Sequence, residues 1–233
     1  ERDKFHIKRY LSKDIELKDI TDDLVVFGLF GPKSRDLIKT ISKDNFDNDG
    51  FKFSTAKYIT IEDVKIWAQR LSYVGELGYE LYVDIKDAKK IYELLIKKGK
   101  DFNLSNCGMH AMDIMRMESG FLHWGHDISP EENQYQAGLS FTISKKKDVD
   151  FIGKQALEKI KKEKIKNKFA MFTLKESEPG KPLLLHDEPI YIDDKIIGRS
   201  TSGNYSFNFK KNLIFGYIQN DFTDDELQSK NLF

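Results

Sequence analysis

The sequence has very little cysteine, no net charge and no long apolar run. Its single cysteine, Cys107, cannot form an intrachain disulfide or a cysteine-rich metal cluster, which fits a reducing, cytoplasmic location. Basic and acidic residues balance at 38 each, so the chain has no overall bias toward nucleic acid or anionic membranes. No apolar run approaches the roughly 20 residues of a membrane span. These absences predict a globular protein without a nucleic-acid or membrane partner.

Several common catalytic signatures are also missing. The chain has no glycine-rich dinucleotide motif, no P-loop and no Gly-x-Ser-x-Gly nucleophile turn, so dinucleotide, nucleoside-triphosphate and hydrolase functions have no support. His123 and His126 beside Asp127 could suggest a metal site. Their i, i+3 spacing lacks a further spaced ligand, and we therefore predict no metal.

The first part of the chain alternates strand and helix patterns. Residues 24–30 form a short apolar strand pattern, and Gly31-Pro32 then begins a helix. Residues 56–73 read as two strands broken at Glu62-Asp63, residues 79–83 as another strand, and Asp87 as the N-cap of a helix that ends at Gly99. This order predicts an α+β fold, a ferredoxin-like layer with helices on one sheet face.

From Phe141 onward the pattern changes. A lysine-rich connector over residues 145–168 contains one short helix, and the rest reads as all-β. Strands are predicted at residues 169–174, 189–192, 196–198 and 213–218, with a turn at Asp193-Asp194 and a loop at residues 201–203. We predict an α+β domain over residues 1–165, incomplete at its N-terminus, and a small C-terminal β-barrel over residues 166–233.

One acid, Glu76, lies on a tight Gly-Glu-Leu-Gly turn between two strand patterns. Gly75 and Gly78 permit a sharp bend and the close approach of a flat ligand. A carboxylate at this bend can accept hydrogen bonds from a ring N–H and an exocyclic amine together. The plain alternative is a solvated turn acid.

A methionine-rich segment follows at residues 108–120. Its apolar residues cover nearly every direction of a helix, which predicts a buried helix. Arg116 falls on the apolar arc and needs an anionic partner, because an unpaired buried charge is very costly. Asp113 is one candidate partner, and a ligand carboxylate or Glu76 is the other. Trp124, next to Gly125, is either a stacking platform or a wall of the core.

Taken in order, these segments resemble the aminomethyltransferase family, which comprises the glycine-cleavage T-protein and its relatives. The resemblance is closest to the C-terminal folate-binding region of dimethylglycine and sarcosine dehydrogenases, and it implies a T-protein-type fold. The Trp-Gly-His-Asp form of residues 124–127 favours the dehydrogenase-linked branch. The residues that carry the resemblance are 27–32, 34–35, 73–83, 111–120, 123–127, 137–139, 150–156, 188–191, 198–203 and 211–212.

The resemblance implies transfer of a one-carbon unit between a methylated or aminomethyl amine and tetrahydrofolate. In that family setting Glu76 would hydrogen-bond the pterin edge, and Arg116 would lie at the folate site. Tyr73 and Tyr79 would help to shape the site, and Trp124 would lie near the cofactor.

The chain also departs from the family pattern. The family's active-site aspartate has no match here, so the catalytic residue is unknown and the chain resembles a truncated member. We expect it to depend on an upstream flavin domain or an N-terminal half chain, or else to be a non-catalytic folate-binding module. A folate-dependent sulfonium demethylase is a further alternative. The turn at Glu76 has no cysteine, which argues against the iron–sulfur-assembly branch.

Overall fold

The computed structural model describes residues 1–144, 150–222 and 227. The backbone divides into two compact units: residues 1–72 with 76–106 form the first, and residues 73–75 with the chain from 107 onward form the second. The domain boundary predicted at residue 165 falls inside the second unit. The lysine run at 145–147 lies outside the described residues.

The first unit is an antiparallel four-stranded sheet with helices on one face. Its elements are α1 (Arg2–Tyr10), β1 (Leu24–Phe30), α2 (Ser34–Lys39), β2 (Ala56–Ile61), β3 (Val64–Gln69), β4 (Gly78–Asp84) and α3 (Ile85–Gly99). The strands lie in the order β1-β4-β3-β2. A short 3₁₀ turn over Lys100–Phe102 follows α3.

Period-two alternation along the strands builds the core of this unit. On β4, Tyr79, Leu81 and Val83 are fully buried, and α2 and α3 cover this face of the sheet. The prediction that Asp87 caps α3 is wrong, since the Asp84 side chain accepts the hydrogen bond from Lys86 N at 3.3 Å. Because β4 runs into α3 without a loop, the helix begins three residues earlier than its apolar pattern suggests.

The opposite face of the sheet is open to solvent in this unit. Val26 is 50% exposed and Tyr58 is 58% exposed, while Trp67, Glu80 and Tyr82 are half-buried. Residues directly paired across neighbouring strands point to the same side, so the pairs Tyr58–Trp67 and Trp67–Tyr82 place these aromatic rings on one face. The uncovered face is therefore rich in aromatic side chains and carries two acids of β4, Glu80 and Asp84.

The second unit holds a second antiparallel four-stranded sheet. Its elements are α4 (Met109–Glu118), a 3₁₀ turn (Ser140–Thr142), α5 (Lys154–Lys162), β5 (Asn167–Thr173), β6 (Pro189–Ile192), β7 (Lys195–Ser206) and β8 (Lys211–Gln219), with the strands in the order β5-β8-β7-β6. The two antiparallel sheets and the helices confirm the predicted α+β class. The predicted loop at 201–203 is wrong, because these residues belong to the twelve-residue strand β7.

Helix α4 packs against the sheet of this unit on one side only. Ile114 and Met117 form a buried cluster with Leu213 and Phe215 of β8. Met109 at the start of the helix is 69% exposed, so the prediction of a helix buried all round is wrong. The buried side is the side that carries Arg116. Over the described parts of the chain, no helix is long and apolar enough to cross a membrane.

Candidate functional site

Arg116 is a buried cation of the second unit. It is 1% exposed, and all five of its N–H donors are used by protein groups. Nε and Nη2 each donate a hydrogen bond to Asp113 Oδ1, at 2.9 and 2.8 Å. The second N–H of Nη2 donates to Ser202 Oγ at 2.7 Å. Nη1 donates to Asp127 Oδ2 and to the Phe121 carbonyl oxygen. The predicted pairing with Asp113 is confirmed, and Asp127 is a second anionic partner that sequence reasoning missed.

Asp127 lies at the centre of this cluster and is fully buried. Its Oδ2 accepts from Arg116 and from the His123 backbone N–H at 2.9 Å. Its Oδ1 accepts from Thr201 Oγ1 at 2.5 Å and Ser202 Oγ at 2.7 Å. These four hydrogen bonds fill the acceptor capacity of a carboxylate, so the buried negative charge is compensated on every side. We call Arg116, Asp113, Asp127, Thr201 and Ser202 the Arg116 cluster.

An irregularity in β7 brings two consecutive hydroxyls to one carboxylate oxygen. Successive side chains of a regular strand point to opposite faces. Here the register with β8 shifts between Ser200 and Ser202, as at a β-bulge. The extra residue re-aims the side chains, so Thr201 and Ser202 both reach Asp127. Bulges of this kind are over-represented beside functional sites.

The segment from His123 to Ile128, here the Trp124 loop, folds around the Asp127 carboxylate. The backbone N–H groups of Asp127 and His126 donate to the His123 carbonyl at 2.8 and 3.2 Å. The Tyr217 hydroxyl donates to the Asp127 carbonyl at 2.9 Å. Trp124 itself is 59% exposed. The loop is thus anchored from within and from β8, and it presents an indole ring to solvent.

Tyr73 belongs to the second unit and packs beside the end of α4. Its hydroxyl donates to the Leu122 carbonyl at 3.1 Å, and its ring stacks on Phe121 with centroids 6.4 Å apart and 16° between the planes. Burial raises the pKa of the Tyr73 hydroxyl above its usual value. Gly75 has φ +74°, and a Cβ there would overlap Ser119 Oγ, so glycine is required at this position.

Glu76 lies in the first unit on the turn that precedes β4. Two hydrogen bonds fix the turn, since the Gly31 N–H and the Ser34 hydroxyl donate to the Leu77 carbonyl at 2.8 and 3.0 Å. Glu76 is exposed, and within the described residues no hydrogen bond or ion pair engages its carboxylate. A free acid on a fixed turn is available to a ligand.

Glu80 is a second acid of this region that the sequence reasoning missed. It lies on the uncovered face of the sheet and accepts a hydrogen bond from the Tyr82 hydroxyl at 3.0 Å. Gly28 is its direct neighbour on β1, and the ring of Phe30 lies over the space that a Gly28 side chain would occupy. The available signal was the alternation of β4, in which an acid between Tyr79 and Leu81 must point away from the core.

Tyr79 occupies the core face of β4. It is fully buried, with its ring 5.5 Å from that of Phe46 and 5.6 Å from that of Phe51. Its hydroxyl has no hydrogen-bond partner among the described residues. Its role at a cofactor stays a prediction, and a side chain so placed can shape a site only by packing beneath it.

The histidines of the Trp124 loop form a small imidazole cluster. The rings of His123 and His126 are 4.6 Å apart, and His186 lies 6.0 Å from His126. Within residues 1–144 and 150–222, no group of three or more His, Cys, Asp or Glu side chains is arranged to hold a metal ion.

Comparison with known families gives two matches that cover most of the chain. Residues 1–147 match the model described as the GCVT N-terminal domain. Residues 167–230 match the glycine cleavage T-protein C-terminal barrel domain. The Glu76 turn, α4 and the Trp124 loop all lie inside the first match.

Individual relatives agree with these matches. The chain is 35% identical over 205 residues to human mitochondrial dimethylglycine dehydrogenase. The aligned region covers 88% of this chain and 23% of that protein. It is 31% identical over 206 residues to the aminomethyltransferase of Symbiobacterium thermophilum, and the aligned region covers 88% of this chain and 54% of that protein. The chain thus spans about half or less of these relatives' length.

A solved structure has the same fold. The glycine cleavage system aminomethyltransferase T from Bartonella henselae superposes with a TM-score of 0.71 at 22% identity, over 84% of this chain and 52% of that one.

Proposed function

Because the chain belongs to the glycine cleavage T-protein family, we propose that it binds tetrahydrofolate and serves folate-dependent one-carbon transfer. The family match over residues 1–147 carries this proposal. The donor would be a methylated or aminomethyl amine, with dimethylglycine, named in the human relative, as the first to test. An attached flavin domain or an N-terminal half chain would complete the enzyme.

The carboxylates of the first unit fit an amino-pterin edge. Glu76 is exposed and without a protein partner among the described residues, so its oxygens are free to accept from a ring N–H and an amine. Glu80 keeps acceptor capacity beyond its bond from the Tyr82 hydroxyl. We propose that at least one of these acids recognises the pterin.

The second unit carries an aromatic surface of its own. The indole of Trp124 is solvent-exposed on an anchored loop, which suits stacking on a planar ring. Tyr73 is tied to Leu122 and stacked on Phe121, so its ring is held in place before a ligand arrives. We propose that Trp124 contacts the cofactor and that Tyr73 shapes its surroundings.

Arg116 and Tyr79 act indirectly in this proposal. Every Arg116 donor already has a protein acceptor, so a direct contact with folate would require the loss of one of these bonds. Arg116 instead holds the Trp124 loop through Asp127. Tyr79 supports β4 from the core side.

Bound tetrahydrofolate would supply the ring nitrogen that accepts the one-carbon unit. The protein's part is to hold that nitrogen in line with the donor carbon, because positioning alone can remove a large share of the barrier. The four hydrogen bonds on Asp127 leave it no free acceptor site for a proton. This observation favours the second candidate, a folate-binding module without its own catalysis.

A binding experiment tests the proposal. Tetrahydrofolate is titrated by calorimetry into the parent chain and into Glu76→Gln, Glu80→Gln and Trp124→Ala. Loss of a charge-assisted hydrogen bond should weaken binding about tenfold or more for the acid that contacts the pterin. Loss of the indole should cost about 1–3 kcal/mol by analogy with base–aromatic stacking.

Glu62→Gln is the matched control. Glu62 is also an exposed acid on a tight turn of the same sheet, with φ +53°, and it lies between β2 and β3. It should leave the affinity for tetrahydrofolate unchanged. No heat of binding to the parent chain would refute the folate proposal.

A turnover experiment separates the two candidate functions. Tetrahydrofolate is incubated with the chain and dimethylglycine, sarcosine or a methylated sulfonium compound, and folate products are followed by mass spectrometry. Product formation with an amine supports the transferase, and product from the sulfonium supports the demethylase. Binding without any product supports the module. A cytoplasmic location stays a prediction.

A further inference from the structure

Asp127 connects three elements of the second unit to one short loop. Its carboxylate is bonded by Arg116 of α4 and by Thr201 and Ser202 of β7, and it also accepts from the His123 backbone. Its own carbonyl accepts from Tyr217 of β8. Side chain and backbone of one residue therefore fix the start and the end of the Trp124 loop.

The partners of Asp127 divide into two sets with different tasks. Arg116, Thr201 and Ser202 are 7% exposed or less and belong to regular elements, so they hold the carboxylate in place. The His123 N–H is part of the loop, and its bond to Oδ2 transmits that fixed position to the backbone beside Trp124. A buried, fully satisfied network of this kind is rigid.

More than half of the Trp124 surface is exposed, so neighbouring side chains cover the indole only in part. Trp124 is 59% exposed, and the neighbouring Gly125 has φ +94°, a conformation that glycine adopts readily. Without an anchor, such a segment moves on the nanosecond timescale. The backbone that carries the Trp124 ring is held by the bonds at the base of the loop and by the Gly125 N–H, which donates to the Ile128 carbonyl at 2.7 Å.

We propose that Asp127 is a positioning residue that orients Trp124 for ligand stacking, through its bonds to His123, Thr201, Ser202 and Tyr217. The assignment of the ligand as folate rests on the function proposed above, whereas the ordering of Trp124 by Asp127 does not. Residues that bind well need supporting groups that lock them in place, and Asp127 supplies this support.

Trp124 can report on its own order. The chain has two tryptophans, Trp67 and Trp124, so Trp67→Phe leaves a single reporter. Time-resolved fluorescence anisotropy of Trp124 is then measured in this background for Asp127→Asn and Tyr217→Phe. Asp127→Asn weakens the carboxylate bonds, and Tyr217→Phe removes only the bond to the Asp127 carbonyl. We expect both to add a fast nanosecond decay.

Asp113→Asn is the matched control. Asp113 is the other anionic partner of Arg116, with its side chain 34% exposed, and it makes no hydrogen bond to the Trp124 loop. The anisotropy decay of Trp124 should be the same in Asp113→Asn as in the parent. If Asp113→Asn frees the ring as much as Asp127→Asn does, the assignment to Asp127 is overturned.

Calorimetry with tetrahydrofolate on the same variants links the loop to binding. Affinity should fall about tenfold in Asp127→Asn, less in Tyr217→Phe, and least in Asp113→Asn. If the parent does not bind tetrahydrofolate but Trp124 loosens as expected, the proposed function fails and the positioning role stands. Should Asp127→Asn fail to fold, Tyr217→Phe decides. An unchanged anisotropy decay in the folded variants overturns the inference.

Discussion

Replacing Arg116 by methionine should strongly destabilise the second unit. The change leaves Asp127, which is fully buried, with three neutral hydrogen-bond donors and no cation. Removing one partner of a buried ion pair costs about 3–5 kcal/mol. The Phe121 carbonyl and Ser202 also lose a charged donor, at about 1 kcal/mol or more together. Asp113 is partly exposed and regains water, so it adds little.

The total expected for Arg116→Met is therefore about 4–5 kcal/mol, with methionine packing against Phe215 offsetting part of it. Urea unfolding followed by Trp124 fluorescence in the Trp67→Phe background reports on the second unit. Arg199→Met is the control, because Arg199 pairs with Asp187 at the surface and its side chain is 52% exposed. A surface pair contributes about 0–1 kcal/mol.

The double variant Arg116→Met/Asp127→Asn completes a mutant cycle. Once the buried carboxylate is neutral, the lost cation matters less, and the double variant should be more stable than the sum of the single effects implies. If Arg116→Met lowers the free energy of unfolding by less than about 1 kcal/mol, as Arg199→Met is expected to do, then Arg116 does not compensate a buried charge.

Three further outcomes are expected. Gly75→Ala should destabilise the protein by about 1–2 kcal/mol because of the φ of +74°, and further because the new methyl group overlaps Ser119. Adding Ser119→Gly should remove only the overlap, and urea unfolding midpoints measure both effects. Met117→Ala, at a fully buried position, should cost about 2–5 kcal/mol in the same assay. Burial raises the pKa of Tyr217 above its usual 10.0, so its stabilising effect is complete below that pH and declines above it. The stability lost between about pH 8 and about pH 11 should be smaller in Tyr217→Phe than in the parent.

Most regular elements of the fold were predictable from local patterns. The strand at residues 24–30 has the predicted bounds, and the break at Glu62-Asp63 separates β2 from β3. The cap of α3 was not predictable from apolar spacing, because the first turn of that helix carries no inward-facing residue before Ala88. The strand at 201–203 was missed since Thr-Ser-Gly is also a common loop composition.

The candidate site was predictable only in part. The burial of Arg116 followed from its place on the apolar arc of α4. Its pairing with Asp113 was one of two candidates, because Asp113 lies three residues earlier on the same helix. The role of Asp127 at the centre of the cluster could not be predicted, because its hydrogen bonds to Thr201 and Ser202 join residues more than 70 positions apart in the sequence. Glu80 was predictable in principle, because the alternation of β4 places it on the outward face of the strand.

The discontinuous make-up of the second unit limits how the protein can be cut. Its first three residues, 73–75, are contributed by a stretch that lies between segments of the first unit. A recombinant fragment beginning at Cys107 would lack Tyr73 and Gly75, and would expose Phe121 and Ser119 where they now pack. Expression of the C-terminal half alone should therefore yield an aggregation-prone product, and a fragment in which a short linker joins residues 73–75 to residue 107 is the better route to an isolated unit.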